Sequence, residues 1–429
     1  MKKYLAFSLA FSLTAALSAQ SIQELATGAG YQKQSFVHLA TGTEKQVNNT
    51  AWDIAFTVFG QQDAGIFVNE SAGSSMGAAL SATELYYALT DNFDEVIDPA
   101  SLTDFQLFNS ERSWNYGAFN EVRDSLNAFD FGWGQYNFQT NQVNGNTVYV
   151  VKLRNGQYRK LKIESLIGGT YTFKYANPDG TGLQTKTINK ADHAGKTLAY
   201  FSFDTGATVD AEPAGGFDLL YCRYTTRLYD PGSMTTITYN VTGILHGRGA
   251  EVAEADGINP ATVAYADYQG SLHSELDVIG HDWKAFSGTA WSVDADRVFF
   301  LRTAESRVWK LQFIDFEGSS TGKTILDKTD LGIITAVQDP AAVGLKALTY
   351  PNPVQDQLRV VLDVPATLAK DAQLEVVDLQ GRLVSRQTVR LQAGFQAIEM
   401  SAANWSTGML VLRLILPNQE IQLGKIIKR

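Results

Sequence analysis

Side chains able to do covalent or metal chemistry are few in this 429-residue chain. Its one cysteine, Cys222, lies between Tyr221 and Tyr224 in an apolar run, the setting of a buried hydrophobe rather than an activated thiolate. A single cysteine rules out an intrachain disulfide, a thiolate metal cluster and an iron–sulfur site. Of five histidines, His246, His273 and His281 fall within one stretch. The His-Glu-x-x-His and Walker-type signatures are missing, and with them the common metalloprotease and P-loop nucleotide chemistries. Asp294-x-Asp296 and Asp179-Gly180 are acidic turns, and neither completes an EF-hand loop. Asp53 and Asp218 each follow a large aromatic residue in matching contexts, which predicts a shared structural hydrogen bond at a strand end. This inventory points to a binding protein and not to an enzyme.

The elements holding these residues read as β structure. Thirty-six glycines and 48 aromatics (23 Phe, 18 Tyr, 7 Trp) favour strands joined by tight turns. Hydrophobic residues make up 45% and charged residues 19%, the composition of a globular chain. Acidic residues outnumber basic ones 45 to 35, giving a net charge of −10 that argues against nucleic acid as a partner. Lys2, Lys3, an apolar run from Leu5 to Leu17 and small Ser18-Ala19 form the tripartite pattern of a secretory signal peptide over residues 1–19, cut before Gln20. No later segment offers about 20 uninterrupted apolar residues, so no transmembrane helix is expected.

The body is written twice. Phe36 to Gly42 resembles Tyr200 to Gly206, and Trp52-Asp53-Ile54-Ala55-Phe56 resembles Phe217-Asp218-Leu219-Leu220-Tyr221. Met76-Gly77-Ala78 answers Arg248-Gly249-Ala250, Trp114 answers Trp283, and Thr181-Gly182 answers Thr321-Gly322. Val148 to Lys152 with Lys160 to Ile163 matches Val298 to Arg302 with Lys310 to Phe313. The order is kept throughout, with a longer loop in the first copy between Trp114 and Tyr149. Two homologous domains follow, 20–192 and 193–338. Asn155-Gly156 between alternating strands predicts a type I′ hairpin, and Ala304-Glu305-Ser306 at the matching place requires a different turn. A helical period survives only over residues 82–89 and 261–276.

The aromatic-plus-Thr-Gly opening strand, the Trp-Asp-Ile-Ala-Phe segment, the Gly-Ala loop and the late aromatic–Lys hairpin together resemble the HmuY-like domain of Bacteroidetes, in two copies over roughly residues 30–335. That resemblance implies mostly-β domains and, from the best-known members, haem carriage at the outer surface. Haem iron takes His or Met donors above an apolar slot. On the resemblance, the candidates are His246 in the second copy's Gly-Ala loop, His273 and His281 shortly before Trp283, and Met76 in the matching loop of the first copy. The second copy is the better equipped. Each candidate also has an ordinary reading as a surface-loop residue or core plug, and an adhesion or scaffold protein without cofactor is the alternative function.

A separate module closes the chain. After a linker at 339–348, Tyr350-Pro351-Asn352-Pro353 opens onto alternating Leu358, Val360, Leu362 and Val364. Turns at Gly381-Arg382, Ala393-Gly394 and Trp405-Ser406-Thr407-Gly408 then space short strands, the pattern of a small Ig-like β-sandwich. These motifs and the terminal Lys425-Ile426-Ile427-Lys428 closely resemble the type A sorting domain of the type IX secretion system, over 349–429. The resemblance implies export across both membranes, the secretion machinery and its sorting protease as partners, and an extracellular or surface-attached product. The expected fold class is therefore mostly β: two tandem homologous antiparallel domains plus a C-terminal sandwich.

Overall fold

The computed structural model describes residues 20–60, 63–72, 83–333, 337–338, 340–378, 382–416 and 419–429. The expected signal peptide and Met76 lie outside these residues. The described chain is built of strands joined by turns and short 3-10 segments. Residues 84–87 form a strand, and 261–276 contain only the single 3-10 turn Tyr265–Asp267, so the two helical expectations fail. In both places tertiary pairing overrides a weak local period.

The first half contributes β1 (Gln20–Ala26), β2 (Lys33–His38), β3 (Thr43–Asn48), β4 (Ile54–Thr57), β5 (Ile66–Val68) and β6 (Glu84–Tyr87). It continues with β7 (Gln106–Leu107), β8 (Gly134–Asn137), β9 (Gln142–Gly145), β10 (Val148–Lys152), β11 (Tyr158–Ile167) and β12 (Thr170–Ala176). The second half supplies β13 (Gln184–Asn189), β14 (Leu198–Ser202), β15 (Ala207–Val209), β16 (Leu219–Asp230), β17 (Thr235–His246) and β18 (Glu251–Ala255). Then come β19 (Lys284–Phe286), β20 (Trp291–Val293), β21 (Val298–Arg302), β22 (Arg307–Phe316) and β23 (Lys323–Ile333).

Strands of the two halves share sheets. One sheet runs β13-β12-β11-β10-β6-β7, with β9 and β8 added beside β11, and another runs β1-β23-β22-β21-β18. Each is thus completed at its edge by the opening strand of the other half. Two four-stranded sheets run β15-β14-β4-β5 and β17-β16-β2-β3, again mixing halves, and β19-β20 forms a two-stranded sheet of its own. Registers correspond: Tyr200 sits opposite Ala55, and Phe36 opposite Leu220. Asp53 and Asp218 occupy the same place in both. The Asp53 amide donates to Phe201 O and its Oδ2 accepts from the Phe203 amide at 2.7 Å; the Asp218 amide donates to Val37 O and its Oδ2 accepts from the Leu39 amide at 2.7 Å. The expected strand-end bond is present twice. Edge-to-face contacts of Phe36 with Tyr200 and Phe217 carry one core across both halves.

One compact unit accordingly holds the described residues through 304 together with 308–332, and the expected boundary at 192/193 falls inside it. Two sequence pairings also change. Trp133 precedes β8 as Trp283 precedes β19, and both indoles are fully buried, so Trp133 and not Trp114 is the counterpart of Trp283. Thr321-Gly322 lies between β22 and β23, whereas Thr181-Gly182 lies one connection later, between β12 and β13. The longer connection of the first half therefore runs from β6 to Trp133, over residues 88–132, against 256–282 in the second.

The β10–β11 hairpin forms as expected, with Lys152 opposite Tyr158. Its turn differs. Only Gly156 has positive φ (80°), and its amide donates to Leu153 O, which is a turn closed by a glycine bulge and not type I′. Ser306 takes the same left-handed φ (64°) between β21 and β22, so the second hairpin keeps that backbone without a glycine.

The second compact unit contains residues 333–429. Its strands are β24 (Val337–Gln338), β25 (Lys346–Tyr350), β26 (Gln357–Val364), β27 (Asp371–Asp378), β28 (Leu383–Arg390), β29 (Gly394–Ser401), β30 (Gly408–Leu416) and β31 (Gln419–Lys428). Sheets β24-β31-β30-β27-β28 and β25-β26-β29 enclose a core containing Leu358, Val360, Leu362 and Val364, as the alternation required. Residues 339–348, expected as a linker, include part of β25 and the buried Leu345. Asn352 ties the opening turn to the last strand: its Nδ2 donates to Lys425 O and its Oδ1 accepts from the Ile427 amide. Buried Glu375 pairs with Arg386 and Arg413 at 2.6 and 2.7 Å.

Candidate functional site

The long connection 88–132 builds a cleft against the β16–β17 hairpin. Two asparagines, the half-buried Asn109 and the buried Asn120, fix its course. Asn109 Oδ1 accepts from the Val68 and Ala118 amides while its Nδ2 donates to Val68 O, which pins the segment to the edge of β5. Asn120 Oδ1 accepts from the Ile66 and Gly117 amides, and its Nδ2 donates to Ala64 O and Phe131 O. All four bonding positions of that amide are used, the condition for burying one. Gly117 has no room for a side chain: a Cβ there would stand 2.2 Å from Ile66 O.

The cleft has two chambers that share Asn109, Ser110, Glu111 and Thr225 as common wall. The outer one, about 490 Å³, is polar and lined by Arg112, Arg123, Arg227, Glu111 and Glu121. The Arg123 guanidinium stacks over Tyr116 at 4.0 Å. The inner throat, about 70 Å³, is walled by Trp52, Phe67, Trp114, Tyr200, Leu220 and Tyr224. Aromatic walls with a few placed polar groups are the usual composition of a ligand site.

Glu70 stands at the throat. Its Oε1 accepts from the Asn109 amide at 2.8 Å and its Oε2 from the Thr225 amide at 3.2 Å. Both bonds favour the carboxylate, but complete burial opposes it more strongly and pushes the group up to about 7. The Tyr224 hydroxyl is buried in the same throat with no hydrogen-bond partner among the described residues. Cys222 also lines it, its thiol pushed up to about 12 by burial. A thiol so held is neither nucleophile nor metal ligand at neutral pH.

The candidate donors from the sequence do not converge here. His246 is 1% exposed, and both ring nitrogens face backbone carbonyls, Gly247 O at 3.0 Å and Glu275 O at 2.8 Å. Burial lowers its pKa, which favours the neutral ring. No nitrogen of this imidazole is turned toward a ligand. Its work is positional: His246 O accepts from Trp114 Nε1 at 3.0 Å, and its amide donates to Leu276 O, so it anchors the throat. His273 is exposed beside Glu275, at 3.9 Å. His281 is half-buried, its pKa lowered by burial and by Lys284. Neither lines either chamber of the cleft. His246 is thus turned away from an axial role, His273 and His281 lie outside the cleft, and the throat is far too small for a porphyrin.

Sequence reasoning passed over Glu70, Asn109 and the three arginines. Only Glu70 left a trace, a carboxylate two residues after the apolar run 64–68.

Residues 30–175 match the family model described as HmuY protein, and residues 348–429 match the secretion system C-terminal sorting domain. No curated protein matches the chain. The first match ends before β13, so the second half stands outside it. Among the described residues, no helix is long and apolar enough to cross a membrane. One HmuY domain joined to a type IX sorting domain supports an exported ligand-binding protein with a surface or extracellular destination.

Proposed function

We propose that this chain is a non-enzymatic surface or secreted binding protein whose ligand enters the cleft between residues 106–125 and β16–β17. The carrying observation is the pairing of a polar chamber bearing three guanidinium groups with an aromatic throat. That pairing suits a ligand with an anionic group and a small apolar end. We further read residues 184–333 as a second HmuY-like half. Support comes from the matched strand orders, the corresponding registers of β2 and β14, and the duplicated Asp53 and Asp218 bonds. Haem, the ligand that the family association suggests, would have to sit in the outer chamber with its carboxylates on the arginines, without the expected histidines.

Titrating the full chain with haem tests this reading. A ligand entering the cleft quenches Trp52 and Trp114 emission, and Arg112→Glu with Arg227→Glu weakens binding about tenfold or more. A Soret shift abolished by His281→Ala and indifferent to the arginine changes would move the site elsewhere. Absence of any response would remove haem as the ligand. Export is tested separately: deleting 348–429 should leave the protein inside the cell envelope, and secretion of the truncated chain would refute the assigned role of the tail.

A further inference from the structure

Away from the cleft, each half projects one short hairpin with aromatic rings on its outer face. In the first, β8–β9 carries Tyr136 and Phe138, joined by Phe129 from the preceding loop. Phe138 stands edge-on to Phe129 at 4.4 Å and to Tyr136 at 5.2 Å. In the second, β19–β20 carries Phe286 and Trp291, 5.1 Å apart. Trp291 is braced edge-on against Phe316 at 4.9 Å, and a Cβ on Gly318 would stand 2.6 Å from its Nε1. The rings remain open to solvent: Phe138 is 64% exposed, Phe286 55%, Phe129 44% and Trp291 39%. Preorganised aromatic clusters left uncovered on a soluble surface mark interaction sites.

The surroundings identify the class of partner. Residues 134–145 contain no charged side chain, and the rim is made of amides and hydroxyls such as Gln135, Gln139 and Thr140. In 284–293 the one charge, Lys284, is buried with its Nζ donating to Thr242 O and His281 O, and the rim holds Ser287, Thr289 and Ser292. An apolar protein surface or a second copy of this chain would call for an apolar rim. An anionic bilayer or acidic polymer would be repelled by a chain of net charge −10. What remains complementary is an uncharged, polyhydroxylated ligand. The C–H face of a pyranose ring carries slight positive charge and lies against the negative face of an aromatic ring, while its hydroxyls meet the rim amides. The same site occurring twice on one chain gains most when the ligand itself repeats.

The geometry points to the β8–β9 and β19–β20 hairpins as a pair of binding sites for a neutral polysaccharide. The full chain is run in native gels containing dextran, a β-1,3-glucan, mannan or xylan, with Phe138→Ser, Phe286→Ser and the double variant alongside. At least one polysaccharide should retard the chain. Each single substitution should weaken retardation about tenfold, and the double variant should migrate as in a plain gel. Phe138→Trp and Phe286→Tyr should retain binding, and an unchanged melting curve of the serine variants keeps loss of binding separate from loss of fold. The assignment is overturned if none of these polysaccharides retards the chain, or if the double variant is retarded equally. It is also overturned if only heparin or phosphatidylglycerol vesicles bind, or if the substitutions abolish dimerisation instead.

Discussion

Replacing Glu70 by Gln should change how the stability of the body depends on pH. In the unfolded chain this carboxyl titrates near 4.5; in the fold, burial moves it to about 7 against the pull of the Asn109 and Thr225 amides. Below the lower value both states hold the proton, and no difference arises. Between the two values the unfolded chain releases its proton while the folded chain keeps it, so stability falls as pH rises. Above about 7 both are ionised and the full penalty remains. The gap from 4.5 to about 7 amounts to about 3 kcal/mol. Glu70→Gln lacks this term but shares every other titration, so the comparison isolates it. Urea midpoints of both proteins at intervals from pH 4 to pH 8 measure the difference. Wild type minus variant should decline by about 3 kcal/mol across that range and flatten above pH 7. A flat difference, or one that rises with pH, would mean that the two amide donors outweigh burial, and the reasoning about the throat would be wrong.

Three further outcomes are expected. His246→Ala removes a fully buried ring held between two carbonyls and should cost about 2–4 kcal/mol in denaturant titration while leaving any haem spectrum unchanged; a lost Soret band at full stability would restore it as a ligand. Asp53→Ala strands the nearly buried Arg154, paired to it at 2.7 Å, and should cost about 3–5 kcal/mol; Asp218→Ala, at the corresponding but more open position, should cost about 1–2, and the reverse order would contradict the pairing described. Gly145→Ala would place a Cβ 1.6 Å from Ile163 O, beside the register shift in β11, and should lower the denaturation midpoint by several kcal/mol equivalent, whereas Gly156→Ala has open space around it and should cost about 1 through its positive φ alone.

What was legible in the sequence is what neighbouring residues decide among themselves. Alternation at Leu358 to Val364 fixed which faces enter the tail's core, because successive side chains on a strand point to opposite sides. Asn155-Gly156 marked a hairpin, though not its turn type, since a bulge at Gly156 satisfies the same strands. The similar Trp-Asp and Phe-Asp contexts carried the role of the two aspartates, because that bond is local to the strand end.

Partner choice was not legible. Nothing local in β1 says that its neighbour is β23, some 300 residues away, nor in β4 that it lies between β5 of its own half and β14 of the other. The surroundings of His246 were hidden for the same reason. Sequence shows an imidazole near glycines, whereas only the folded chain brings Gly247 O and Glu275 O to its two nitrogens. By itself the sequence determined that this is a mostly β protein with a sorting module at its end. The tertiary structure alone decided that the halves exchange strands and that residues 106–125 roof a cleft over Glu70, because hydrogen bonding between distant strands depends on geometry that no local pattern encodes.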